Sequence, residues 1–135
     1  MSEPVAVSLP LAPESTRRAR ESMAPFRWYL DGTSYVDLRL IVSELLVDAL
    51  QAEPHRVEMD VELRAQLDGD RIHVEMTQGS AAYQLRSRRP EPGQPGWGLH
   101  LAGRLARRWG LRRERDRATV WLEMPLARDS QTVGA

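Results

Sequence analysis

The sequence predicts an α+β fold, a two-layer sandwich in which three helices cover one face of a mixed, mostly antiparallel sheet. Apolar residues alternate with polar ones from Val57 to Leu67 and again from Ile72 to Met76, which indicates two strands. The "DGD" between them is typical of a hairpin turn. Two segments with helical apolar spacing precede these strands and a third follows them. Helices grouped against a mainly antiparallel sheet define this class.

The first 30 residues predict an edge strand and a short helix. Apolar residues alternate from Val5 to Leu11, and Pro10 and Pro13 close that strand. From about Ser15 the apolar spacing becomes 4, 3 and 4, which places one set of side chains on one helical face: Ala19, Met23, Phe26 and Leu30. Pro25 should kink this helix or end it early.

The second helix is predicted to be the central element of the core. Ser34, with Asp37 three residues later, resembles a capping box, and Pro54 should stop the helix. Its apolar face is broad: Leu38, Ile41, Val42, Leu45, Leu46 and Ala49.

The C-terminal half should hold a long loop, a third helix and a hairpin. The pattern disappears between Thr77 and Pro95, and loops of that length within a compact domain are usually functional or disordered. The third helix should place one set of residues inward, with Gly110 as its stop: Leu99, Ala102, Leu105, Ala106 and Trp109. "RRERDRATVWLEMPL" predicts a closing hairpin that turns Val120, Leu122 and Met124 to one face. One domain over 5–126 is expected, followed by a disordered tail at 127–135.

Composition excludes several classes of function. The chain has 135 residues, 41% of them hydrophobic, and no cysteine, so thiolate catalysis and cysteine-ligated zinc are excluded. No apolar run approaches the length of a membrane span, and the N-terminus does not resemble a signal peptide, so a cytoplasmic protein without membrane contact is expected. The three histidines show no ligand spacing, and the four tryptophans are interpreted as packing residues.

Charge is unevenly distributed although the net charge is zero. Residues 1–85 carry 8 arginines against 14 acids, whereas residues 86–117 carry 10 arginines against 3 acids. The basic segment could face a phosphate ligand, an acidic partner or nucleic acid, and it could equally be a solvated surface.

Two short segments could carry chemistry. In "SELLVDAL" the carboxylates of Glu44 and Asp48 are four residues apart, so they share one helix face, as a working pair or as part of an ordinary polar stripe. In "PGWGLHLAGRLARRWG" Gly96 and Gly98 stand where a loop becomes a helix, a place where free backbone N–H groups can bind an anion. Glycines also serve loops that need a positive φ, so the second motif alone is weak.

The order "SELLVDAL", "VEMTQGS", "GWGLHLAGRLARRWG" resembles the N box and the two glycine boxes of the GHKL ATPases. More narrowly, the chain is similar to bacterial anti-sigma-factor serine/threonine-protein kinases over roughly residues 5–125. The resemblance implies that Glu44 is the catalytic base and that Asp48, which stands where the family has asparagine, binds nucleotide and magnesium. It also implies an adenine contact at Gln78 and Gly79, and a phosphate cradle at Gly96, Trp97, Gly98 and Leu99.

By this resemblance the cofactors are ATP and magnesium, and the partner is a sigma factor or an anti-sigma antagonist of the STAS type; a homodimer stays open. Asp48 places a charge beside the phosphates, and Gln78 lacks the charge of the family's aspartate at that position. The expectation is therefore a degenerate, pseudokinase-like regulator of transcription with weak or lost turnover, whose lid carries Arg86, Arg88 and Arg89. The alternative is a nucleic-acid-binding module that uses the basic segment 104–117.

Overall fold

The computed structural model describes residues 4–52, 60–79 and 89–127. The strands are β1 (Val5–Pro10), β2 (Asp60–Asp68), β3 (Arg71–Gly79), β4 (Arg108–Glu114) and β5 (Arg117–Pro125). The helices are α1 (Ser15–Ser22), α2 (Gly32–Ala52) and α3 (Trp97–Leu105), with a 3-10 turn at Ala24–Phe26. The strand order is β1-β2-β3-β5-β4, and every pair is antiparallel. The predicted α+β class and two-layer arrangement are confirmed.

One face of the sheet and the helices share a single core. Alternate side chains of β2, β3 and β5 are buried because successive residues of a strand point to opposite faces. Among the strands this core includes Val61, Leu63, Ile72, Val74, Met76, Val120, Leu122 and Met124. The opposite face of the sheet carries the polar residues of the same strands, and no helix of the described part of the chain lies on it.

Helix α2 is the central core element, as predicted. It packs between α1 and α3, and Leu38, Ile41, Val42 and Leu46 on its inner face are completely buried. The predicted capping box is wrong, because α2 begins at Gly32, three residues before the start that Ser34 as N-cap would give. The carboxylate of Asp31 accepts a hydrogen bond from the Ser34 N–H at 2.7 Å and so caps the helix. The helix ends at Ala52, and the predicted stop at Pro54 lies outside the described residues.

Pro25 ends the first helix early, as one of the two predicted outcomes. The chain leaves α1 after Ser22 and continues into the 3-10 turn, where Phe26 is completely buried. Trp28 follows this turn with 79% of its surface exposed, so its interpretation as a packing residue is wrong.

The third helix is shorter than predicted. It ends at Leu105, and Ala106 is already extended at φ −79° and ψ 150°. Trp109 and Gly110 therefore lie on β4, where Trp109 pairs with Leu122 and Gly110 with Trp121 of β5. A Cβ on Gly110 would lie 2.5 Å from the Trp121 Nε1, so this glycine makes room for an indole ring and does not stop a helix.

The long loop begins later in the chain than predicted. Strand β3 continues to Gly79, so Thr77, Gln78 and Gly79 belong to the sheet. Residues 80–88 lie outside the described part of the chain. At the C-terminal end, Ala127, the first residue of the predicted tail 127–135, donates its N–H to the Tyr29 carbonyl at 2.8 Å, and residues 128–135 lie outside the described residues.

Candidate functional site

Helix α2 presents Glu44 and Asp48 toward the start of α3. The four-residue spacing puts both carboxylates on one side of the helix, as predicted. Asp48 is only 4% exposed, whereas Glu44 is half-buried and forms no hydrogen bond or ion pair with the described residues. The two acids therefore have different environments, although they share a helix face.

The carboxylate of Asp48 caps the N-terminus of α3. Its Oδ1 accepts a hydrogen bond from the Gly96 N–H at 3.0 Å, and its Oδ2 accepts one from the Leu99 N–H at 3.0 Å. Burial raises the pKa of Asp48, the N–H groups of Leu99, Gly98 and Gly96 oppose this shift, and the charge of Glu44 adds to it. A side chain from another helix thus performs the work that a local N-cap residue usually performs.

This cap uses the N–H groups of Gly96 and Leu99, two of the groups that were predicted from the sequence to bind a phosphate. The Trp97 N–H donates to the Gln94 carbonyl at 3.1 Å, and the His100 N–H donates to the Gly96 carbonyl at 3.0 Å. Together with the bonds to Asp48, these contacts pair the N–H groups of Gly96, Trp97 and Leu99 at the start of α3 within the protein. The positive end of the helix dipole faces a carboxylate of the chain itself.

The two glycines have different structural roles. Gly96 has a φ of +92°, a backbone conformation that glycine adopts without steric cost. Gly98 lies where α3 meets the backbone of α2, and a Cβ there would be 2.6 Å from the carbonyl oxygen of Glu44. The glycine spacing therefore serves a turn and a close helix contact, and neither role requires a ligand.

Gln78, the predicted adenine contact, is 2% exposed at the end of β3. Its Oε1 accepts a hydrogen bond from the N–H of Gly79 at 2.6 Å, which fixes the orientation of the amide. Its Nε2 has no hydrogen-bond partner among the described residues. The oxygen that should accept a hydrogen bond from adenine thus already accepts one from the next residue, and the atom that the described residues leave unpaired is a donor.

A side-chain contact fixes the loop before α3 to α2. The Nε2 of Gln51 donates to the Gly93 carbonyl at 3.0 Å, one helical turn beyond Asp48 on the side of α2 that faces this loop. The rings of Trp97 and His100 stack at 5.0 Å on α3. Arg89 is exposed, and Arg86 and Arg88 lie outside the described residues.

The other candidate chemistries find no support in the described residues. No group of three or more His, Cys, Asp or Glu side chains there could hold a metal ion, and none of the described helices is long and apolar enough to cross a membrane. The basic segment does not form one surface. Arg108, Arg112 and Arg117 lie on β4 and β5 in ion pairs with glutamates, whereas Arg104 lies on α3.

The contacts of Asp48 compete with ATP and magnesium at the start of α3. A phosphate at the start of α3 would have to displace Asp48, because both carboxylate oxygens and the N–H groups of Gly96 and Leu99 are already paired. A magnesium ion would need those same oxygens. The aspartate that the resemblance assigned to the metal is already bonded to the backbone.

The fold and site define a class: a two-layer domain in which a helix bearing paired acids meets the glycine-rich start of another helix. The family model for the histidine kinase-like ATPase domain matches residues 9–124, and the chain belongs to this family. The structure resembles the RsbU and RsbW domains of Rv1364c from Mycobacterium tuberculosis with a TM-score of 0.70 at 18% identity. That alignment covers 94% of this chain and 33% of the Rv1364c chain, so this chain spans about a third of the length of that protein chain. A search of curated proteins gives no match.

Proposed function

We propose that this protein regulates transcription by binding a sigma factor or an anti-sigma antagonist domain of the STAS type, with nucleotide binding and kinase activity weakened or lost. The family and the likeness to a structure containing an RsbW domain support a regulatory, kinase-like role. The proposed binding surface lies around α2 near Glu44 and the lid that precedes α3. A homodimer is compatible with this role.

The capping of α3 by Asp48 is the single observation that carries the loss of nucleotide binding. A bound triphosphate would bring like charge against a buried carboxylate, and the N–H groups of Gly96 and Leu99, which could offset this repulsion, are already paired with that carboxylate. Gln78 adds a second obstacle, because its Oε1 is paired with the Gly79 N–H. If no nucleotide binds, Glu44, the proposed catalytic base, has no phosphate transfer to assist.

Binding of purified sigma factors and antagonist domains from the source organism tests the proposal. We expect a complex that forms equally well with and without magnesium-ATP, and no transfer of labelled phosphate to the partner. Leu40→Arg on the outer face of α2, where Leu40 is 41% exposed, should weaken the complex about tenfold or more. Arg64→Glu on the far face of the sheet is the matched control and should leave it unchanged.

Two results would contradict the proposal. Failure of every sigma factor and antagonist to bind would remove the regulatory role. A complex that needs magnesium-ATP, or rapid phosphorylation of the antagonist, would show that the nucleotide site works despite Asp48. Capture of nucleic acid that weakens steeply with salt would instead favour the basic segment.

A further inference from the structure

A cluster of charged side chains lies on the open face of the sheet, on the side away from the helices. At its centre the imidazole of His73 on β3 lies between two glutamates. Its Nδ1 is 3.0 Å from Glu123 Oε2 on β5, and its Nε2 is 2.9 Å from Glu75 Oε2 on the same strand. The Trp121 ring stacks against the imidazole at 6.0 Å.

Only a protonated His73 satisfies both of these contacts. A neutral imidazole has one N–H donor and one acceptor, so one of its nitrogens would point a lone pair at a carboxylate. Partial burial lowers the pKa of His73, but the hydrogen bonds and charges of Glu75 and Glu123 outweigh burial, so the pKa is raised. His73 and Glu75 support each other, because the pKa of Glu75 is lowered by His73 and Arg112 against the effect of its own burial.

The two glutamates differ in their freedom to move. The Glu123 side chain is 8% exposed and also lies 3.7 Å from Arg71 and 3.5 Å from Arg108, so it is held on three sides. The Glu75 side chain is 30% exposed, and its other oxygen lies 3.5 Å from Arg112. A neutral His73 has one N–H donor, which we expect to donate to the buried Glu123. Glu75 then loses its hydrogen bond to the imidazole, and its side chain can move.

An alternative partner for Glu75 lies on the neighbouring strand. Arg64 of β2 is directly opposite Glu75 in the register, on the same face, and it forms no ion pair with the described residues. Directly opposed side chains are close enough to interact. Both residues line a cleft of about 280 Å³ beside β1, together with His73 and Gln66, so a movement of Glu75 would change the shape and charge of that cleft.

We propose that His73 is a proton-operated switch on the open face of the sheet, in which loss of its proton releases Glu75 from His73 to Arg64. The groups that face this switch from each strand are Arg64 and Gln66 on β2, Arg71 and Glu75 on β3, Trp121 and Glu123 on β5, and Arg108 and Arg112 on β4. The released state presents a neutral imidazole and a new Arg64–Glu75 pair at the cleft. This switch is separate from the proposed function and does not depend on it.

The direction of the pH dependence follows from the raised pKa of His73. A histidine with a folded-state pKa above its unfolded value stabilises the protein fully below the unfolded value of about 6.5. That contribution is lost as the pH rises through the folded value. The free energy of unfolding should therefore fall as the pH rises from about 6.5 through the pKa of His73 in the folded protein, through the loss of this contact.

A histidine NMR titration of the full chain tests the switch directly. We expect His73 to titrate above its value in the urea-unfolded chain, and His100, whose pKa is lowered by partial burial and by Arg89 and Arg104, to titrate below it. The Cδ signal of Glu75 and the Nε signal of Arg64 should shift with the midpoint of His73. Titration of His73 at or below its unfolded value, or Glu75 and Arg64 signals that ignore that midpoint, would overturn the proposal.

Variants provide a second measurement. The urea midpoint of the wild type should fall as the pH rises above neutral, and that of His73→Gln should stay flatter over the same range. Arg64→Gln should remove the linked shift of Glu75 without lowering the pKa of His73. Parallel pH profiles for wild type and His73→Gln would refute the switch, and if His73→Gln does not fold, the wild-type titration decides alone.

Discussion

Replacing Asp48 by alanine tests whether an internal carboxylate holds the start of α3. The change leaves the buried N–H of Leu99 and the partly buried N–H of Gly96 without their acceptor. An unsatisfied buried N–H costs about 1–3 kcal/mol. Removal of a buried charge recovers part of that cost, so a net loss of about 2–4 kcal/mol in the free energy of unfolding is expected.

Urea denaturation followed by far-UV circular dichroism measures this loss, with Glu44→Ala as the matched control. Glu44 is on the same helix and forms no hydrogen bond with the described residues, so its removal should change the free energy of unfolding by well under about 1 kcal/mol. Asp48→Asn keeps one carbonyl oxygen and should fall between the two. Equal effects of Asp48→Ala and Glu44→Ala would refute the capping role.

The same variants test the competition between Asp48 and phosphate. In calorimetry the wild type should show little binding of magnesium-ATP, whereas Asp48→Asn combined with Gln78→Asp should bind it. Relief of repulsion and a charge-assisted bond are each worth about 1.5–3 kcal/mol, which corresponds to one to several decades in affinity. Low-micromolar binding by the wild type would show that Asp48 yields to phosphate. Absence of binding by both would show that the pocket is closed for another reason.

Three further predictions concern packing. Leu45→Ala on α2 should lower the free energy of unfolding by about 2–5 kcal/mol, because Leu45 is 1% exposed; a loss no larger than that of Glu44→Ala would refute the helix register. Gly98→Ala should cost about 1–3 kcal/mol or more and expose the Leu99 amide to hydrogen exchange, since its Cβ would meet the rigid α2 backbone; an unperturbed variant would contradict the close contact. In Gly110→Ala the nearest atoms to the new Cβ belong to the Trp121 ring, so a change in tryptophan fluorescence with a smaller loss of stability is expected; an unchanged spectrum would count against that contact.

The sequence predicted the structure most accurately where a regular apolar period extended over many residues. The strands around "DGD" and the apolar face of α2 are confirmed because burial on one face imposes the period of each element. The errors lie where short-range signals compete. Ser34 and Asp37 have the spacing of a capping box, but Asp31 caps α2. The segment "ARRWG" has a helical apolar spacing, but Arg108–Glu114 forms a strand because it pairs with β5. Local patterns do not report which strand is available as a partner.

The candidate site also shows that sequence patterns predict local structure better than contacts between distant segments. The sequence correctly placed Glu44 and Asp48 on one helix face and glycines at the start of another helix. No spacing could show that Asp48 bonds to Gly96 and Leu99, because the two segments are about 50 residues apart and meet only in the folded chain. The cluster around His73 was missed for the same reason, since strand pairing brings His73 and Glu123 together.

Asp48 also explains why the α3 start can keep its geometry without a nucleotide. Exposed N–H groups at a helix start need an acceptor, and in an anion-binding domain the ligand can be that acceptor. Here the chain supplies a carboxylate, while Gly98 keeps α3 close to the backbone of α2. Within the described residues, the surface where the two helices meet is therefore formed without a nucleotide. A partner that recognises this surface would meet it ready-formed, so its affinity should be independent of the ATP concentration.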